Sequence, residues 1–185
     1  MKSYILMLAT MIMSFNFVAC AGTPKNKTIR DGWLKPDSTI SQQLGASLSS
    51  LLFSPKKVVC YHLVHKQNVS DNEVQPIKGY VRDSVLAVFS DKQTEILQYL
   101  FLSNKESYSE DIISIEAPYI PIIEFEFIDK KKRTANVIIS LSDRSWSIIY
   151  DEKEQFRYNY ADAKLLERFC NCFLNSYYHN KKEKK

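Results

Sequence analysis

The sequence predicts an α+β domain: a four-stranded antiparallel meander over about 121–160, helices packed on one of its faces, and an additional strand near 58–64. Three observations predict it. Between Pro121 and Tyr160, four runs of strand composition, PIIEFEFI, TANVIISL, SWSIIY and QFRYNY, are separated only by DKKKR, SDR and DEKE, which is the punctuation of hairpins. A T-x-x-Q box at Thr39 and Gln42 and an S-x-x-Q box at Ser90 and Gln93 each precede apolar residues at helical spacing. The run that begins at Ala161-Asp162 places Leu166, Phe169, Cys170, Phe173 and Tyr177 on one side of a helix, with Phe169 and Phe173 turned toward the meander.

Taken in chain order, the first element is a signal peptide over 1–19. Lys2 precedes an apolar stretch from Tyr4 to Phe15, broken only by Thr10 and Ser14, and small residues follow at Ala19, Ala21 and Gly22. The stretch is shorter than the roughly 20 residues that span a bilayer. Phe17-Val18-Ala19-Cys20 resembles the lipobox of bacterial lipoproteins, with Phe17 where those proteins prefer Leu, and implies that the Cys20 thiol is acylated and becomes the first mature residue. A diacylglycerol and an amide-linked chain such as palmitate bury enough methylenes, at about 0.8 kcal/mol each, to hold a protein durably. The alternative is an A-x-A site, Ala19-Cys20-Ala21, which releases a soluble secreted protein.

From Cys20 to Pro36 the chain is polar and has no apolar period, as a tether does. A single α+β domain follows over 37–178, and 179–185 is a basic tail. Within the domain, Ile40, Leu44, Leu48, Leu51 and Leu52 fall on one face of the helix opened at Thr39, which ends at Ser54-Pro55. KKVVCYHLV reads as a strand, Val58 to Val64, and HKQNVSDNEVQP as a polar loop. GYVRDSVLAVF fits strand and helix alike, with Tyr80 to Arg82 as a short strand. Ile96, Leu97, Leu100 and Phe101 give the helical face behind Ser90, and NKESYSED is a loop.

The succession APYIPIIEFEFIDKKK, VIISLSDRSWSIIYD, an aromatic-rich segment and a helix bearing RFC is similar to a group of small predicted lipoproteins of Bacteroidetes that lack an assigned function. The likeness covers roughly Val58 to Phe173. It implies a cell-envelope lipoprotein of bacterial origin and carries no active-site residues.

Charge and motifs exclude several classes. The formal charge is +4, much of it in the Lys181-Lys182-Glu183-Lys184-Lys185 tail, so the body is near neutral and lacks the basic face of a nucleic-acid binder. The DKKKR run reads as a solvated hairpin tip. Gly22, Gly32, Gly45 and Gly79 are too scattered for a phosphate loop, a dinucleotide fingerprint or a nucleophile elbow. His62 and His65 point to opposite faces of a strand and read as ordinary polar positions at its end, so no metal and no cofactor is expected.

No catalytic residue is assigned. Glu124 and Glu126 share one strand face about 7 Å apart at roughly 3.4 Å per residue, but they lie side by side, not on opposite sides of a substrate. They read as the solvent side of a strand whose other side, Ile123, Phe125 and Phe127, is core, with Lys132 and Arg133 as neighbours across the turn. Trp146, Tyr158 and Tyr160 are the ligand or partner candidates, as a stacking platform or an anchoring patch, with cross-strand packing as the alternative. Cys60, Cys170 and Cys172 can be buried thiols, or Cys60 can bond Cys170 or Cys172.

Three functions follow from these residues. The first is a non-catalytic cell-envelope lipoprotein, held to a membrane by its lipid, that binds another protein, an immunity or inhibitor protein being one form. The second is a small-ligand or glycan-binding module lined by Trp146, Tyr158 or Tyr160. The third is a hydrolase with a dispersed active site. Convex aromatics favour the first, a ringed pocket the second, and a buried carboxylate or histidine in a cleft the third.

Overall fold

The computed structural model describes residues 35–70, 72–108, 117–160 and 163–183. The expected signal peptide, Cys20 and nearly all of the tether lie outside the described residues.

Helix α1, Ser38–Phe53, opens earlier than the T-x-x-Q box predicts. Asp37 is its cap, and the carboxylate accepts the backbone N–H of Thr39 at 2.8 Å. Asp37, Ser38 and Thr39 can all cap a helix, and the first of the three takes the role. Ile40, Leu44, Leu48, Leu51 and Leu52 are buried as the spacing requires. At Gly45 the backbone leaves the helix with φ 73° and ψ 160°, a conformation that a side chain would strain. The helix is therefore two pieces joined at a kink.

Strands β1, Lys57–His65, and β2, Tyr80–Val88, pair antiparallel. Strand β2 is far longer than the stretch Tyr80 to Arg82. Register shifts between Cys60 and Tyr61 and between His62 and Leu63 break the two-residue period of the pair. Val85 and Val88 are exposed on it, so composition gave no clean alternation to read.

Helix α2, Asp91–Leu97, carries the predicted capping box in full: Ser90 accepts the Gln93 N–H, and Gln93 accepts the Ser90 N–H at 2.9 Å. A π-helical turn, Gln98–Leu102, follows and changes the phase of the buried stripe. Leu97, Phe101 and Leu102 are buried, while Ile96, expected on the apolar face, is exposed. The buried Gln98 amide donates to the Leu52 carbonyl at 2.8 Å and ties this segment to α1. Part of the expected loop after it is a 3-10 turn, Lys105–Tyr108.

The meander is present as predicted: β3 Pro121–Ile128, β4 Thr134–Ser140, β5 Ser145–Tyr150 and β6 Lys153–Asn159. It is part of a larger sheet. β1 pairs with the free side of β3, and the order is β2-β1-β3-β4-β5-β6, antiparallel throughout. In a chain with so few glycines, charged residues make the tight turns: Asp151 and Glu152 hold φ 51° and 60° between β5 and β6, and Lys132 holds 64° between β3 and β4.

Helix α3, Ala163–Glu183, runs into the region expected as a basic tail, so 179–183 are helical. Its Leu166, Cys170 and Leu174 are buried. Phe169 and Phe173 are half-buried against Phe89, with ring centroids 5.8 and 5.2 Å away. Phe169 meets the ring of Phe125 of β3 at 6.3 Å. The helix thus covers the β2-β1-β3 part of the sheet, while α1 lies over β3 and β4.

Candidate binding groove between the sheet edge and the last helix

Trp146, Tyr158 and Tyr160 are brought together, but inside the core. All three are fully buried on the helix-covered face. The Trp146 ring lies 4.6 Å from Phe101 and 5.1 Å from Tyr158, its indole N–H donates to the Ser107 carbonyl, and Tyr160 donates to the Ser140 carbonyl at 3.2 Å. Phe101 and Tyr108 close over these rings from the segment between α2 and β3. A ring walled in on both sides cannot be a surface platform, and the partner-candidate assignment is corrected accordingly.

Glu124 is also corrected. Its face is opposite to Phe125 and Phe127, as alternation requires, yet it is 0 % exposed. Arg82 of β2 lies across the ring of Tyr61 on the intervening β1, with its guanidinium carbon 4.1 Å from the centroid, and forks the Glu124 carboxylate at 2.8 and 2.6 Å. The same guanidinium donates to Glu126 at 2.9 Å, and Tyr61 donates to the second oxygen of Glu126 at 3.2 Å. Burial pushes the Glu124 carboxyl up and the two bonds from Arg82 oppose it. Burial by itself would lower Arg82, but Glu124 and Glu126 more than reverse that, so the guanidinium stays charged. The neighbours expected across the turn do not take part, since Arg133 binds Asp129 at 2.8 Å.

His62 is the residue whose surroundings the sequence concealed. It is 5 % exposed, beneath the end of α3. Its Nδ1 lies 3.4 Å from Asp83 Oδ2, its Nε2 lies 3.3 Å from the Tyr178 hydroxyl, and its ring stacks 4.4 Å from that of Tyr177. Tyr177 in turn donates to Asp83, and Lys181 donates to the Tyr177 oxygen at 2.8 Å. Ser84 adds a third donor to Asp83, at 3.1 Å.

These bonds set the charges of the cluster. Burial lowers the His62 pKa, with Asp83 pulling the other way, so the ring is neutral at neutral pH. The Tyr177 hydroxyl holds the Asp83 carboxyl below the usual range. The Tyr177 contact raises Lys181, which stays an ammonium. His65, by contrast, is exposed and meets Tyr80 edge-on at 5.3 Å.

Asp83, Tyr177 and Lys181 line an open groove of about 450 Å³ between β2 and α3, together with Val85, Leu86 and Phe173. One wall is the strand that ends the sheet, with Val85 58 % exposed; the other is the half-buried Phe173 and the tyrosine pair. The groove offers one carboxylate, one ammonium and an apolar strip side by side. His62 is not part of the lining; it touches the groove through Asp83 and Tyr177, and both its nitrogens are already engaged.

Cys60 and Cys170 are buried free thiols and Cys172 an exposed one. Burial raises both buried thiols far out of the thiolate range. Among the described residues, no group of three or more His, Cys, Asp or Glu is placed to hold a metal, and no helix is long and apolar enough to cross a membrane. Set beside known proteins, the chain matches no family model, no curated protein and no solved structure.

Proposed function

We propose that the protein is a non-catalytic lipoprotein of the bacterial cell envelope, acylated at Cys20, that binds another protein along the groove between β2 and α3. The carrying observation is the groove itself. The end strand of the sheet, an exposed Val85 beside Leu86 and Phe173, and the Asp83 and Lys181 charges present the mixture of apolar strip and polar rim that protein partners use. The glycan reading is left without its three aromatic residues, all of which are in the core.

One observation favours the hydrolase reading. A buried histidine bridging Asp83 and Tyr178 is the orientation that a base receives from a carboxylate. Under that reading, His62→Gln and Asp83→Asn each abolish turnover of an ester, amide or glycoside that the native protein hydrolyses.

The binding reading is tested in the full chain, in cells, with a photo-crosslinking residue at Val85, Ser176 or Lys153. The first two positions border the groove, and Lys153 lies on the far edge strand. A discrete adduct from Val85 and Ser176 and none from Lys153 is expected; adducts from all three, or from none, overturn it. The anchor is tested by Cys20→Ala, which is expected to move the protein to the soluble fraction or leave it as precursor. A mature-sized Cys20→Ala protein retained in the membrane overturns the lipid anchor.

A further inference from the structure

A second cavity, of about 390 Å³, lies at the end of the sheet where the described chain begins. Lys35, Lys56, Lys57 and Lys130 line it, from three places in the sequence: the approach to α1, the entry into β1, and the hairpin between β3 and β4. Asp91 and Glu95 of α2 are the acidic residues of the lining, so four lysines and two acidic residues border the cavity. None of the four lysine side chains makes an ion pair with a described residue. On the same hairpin Arg133 and Asp129 neutralise each other at 2.8 Å, and Lys131 and Lys132 are two further cations beside Lys130.

From these residues we infer that this lysine-lined end rests on the anionic phospholipid headgroups of the membrane that holds the anchor. The inference rests on the lipid-anchored reading above. If Cys20 carries the lipid, the chain from Cys20 to Lys35 spans at most roughly 50 Å at 3.3–3.6 Å per residue, and it enters the domain at one of the four lysines. The end of the domain at which the tether enters is then one where lysines outnumber carboxylates. Juxtamembrane lysines gain attraction from an anionic surface within a Debye length, about 8–10 Å. Seated this way, the domain turns one sheet end to the lipid, and β2 and the last turns of α3 remain open to a partner. The partner groove and the lipid contact use different residues, so both can be occupied together.

The test is lysine footprinting of the full processed chain reconstituted in vesicles of phosphatidylglycerol or of phosphatidylcholine, read by mass spectrometry. Acetylation of Lys35, Lys56, Lys57 and Lys130 is expected to slow by roughly fivefold in the anionic vesicles, with Lys164 and Lys182 of α3 unchanged, and about 0.5 M salt is expected to remove the protection. Equal rates in the two lipids, or protection spread evenly to Lys164 and Lys182, overturn the inference. The same spectra report the mass of the Cys20 peptide. Acylated Cys20 with unprotected lysines overturns the lipid contact and leaves the anchor standing, whereas unmodified Cys20 overturns the anchor and, with it, this inference.

Discussion

The two faces of one sheet are built on opposite terms. The face under the helices is apolar and aromatic, with Trp146, Ile148, Tyr158, Phe125 and Phe127 interlocked beneath Phe101 and Leu52. The other face carries an ion network, Arg82 with Glu124 and Glu126 over Tyr61, and beside it a small apolar group of Leu63, Ile138 and Ile149 with Ile77. Both faces hide their central residues from water. Alternation along a strand therefore tells which residues share a face, and leaves open whether the polar face is wet. Glu124 is the residue on which that distinction turns.

The largest effect is expected on the aromatic face. Trp146→Ala empties the space between Phe101 and Tyr158 and removes the bond to Ser107, at a cost of about 3–5 kcal/mol. Calorimetry of the variant should show a domain close to unfolding; a midpoint near the native one would mean that the core does not depend on this ring.

The ionic face breaks by a different rule. Arg82→Met leaves the Glu124 carboxylate buried without its cation and is expected to cost about 3–5 kcal/mol, whereas Arg82→Met with Glu124→Met should recover most of that loss. Denaturant midpoints of the two single variants and the double variant make the cycle. Additive losses would show that the pair is not coupled and would undo the contrast between the faces. The two glutamates also cannot both become Gln without harm, because Arg82 would then keep a buried charge with no anion.

The smallest effect belongs to the groove cluster and shows itself in pH. Burial holds the folded-state pKa of His62 below its unfolded value of about 6.5, so the stability it confers is present above that pH and is lost as pH falls through and below it. Asp83, held low by Tyr177, keeps its contribution down to about pH 4 and loses it beneath. Between about pH 7.5 and 5 the thermal midpoint should fall more steeply in the native protein than in His62→Gln. Parallel curves would show that His62 titrates as if it were exposed.

What the sequence revealed was local. The meander, the capping box of Ser90 and Gln93, and the buried stripe of α1 each depend on residues a few positions apart, and each is present. What it concealed was set by distance and by phase. His62 meets Tyr178 across 116 positions, and Arg82 meets Glu124 across 42, so no spacing rule connects them. The buried Ile40 stripe was legible and the exposed Ile96 was not, because a π-helical turn after Leu97 shifts the phase on which a period of 3.6 depends. A signal for the groove did exist: the adjacent pair Tyr177-Tyr178 late in an amphipathic helix, two ring-bearing donors where a solvated end needs none.

The thiols of Cys60, Cys170 and Cys172 amount to a built-in chemical clock. Cys172 stands in solvent on α3, while Cys170, two residues away, and Cys60 on β1 are sealed between helix and sheet. An alkylating reagent therefore marks Cys172 at once and reaches the other two only in molecules whose last helix has lifted from the strands. The mass added per molecule counts such openings directly, with no engineered probe, and it does so on the helix that supplies one wall of the groove.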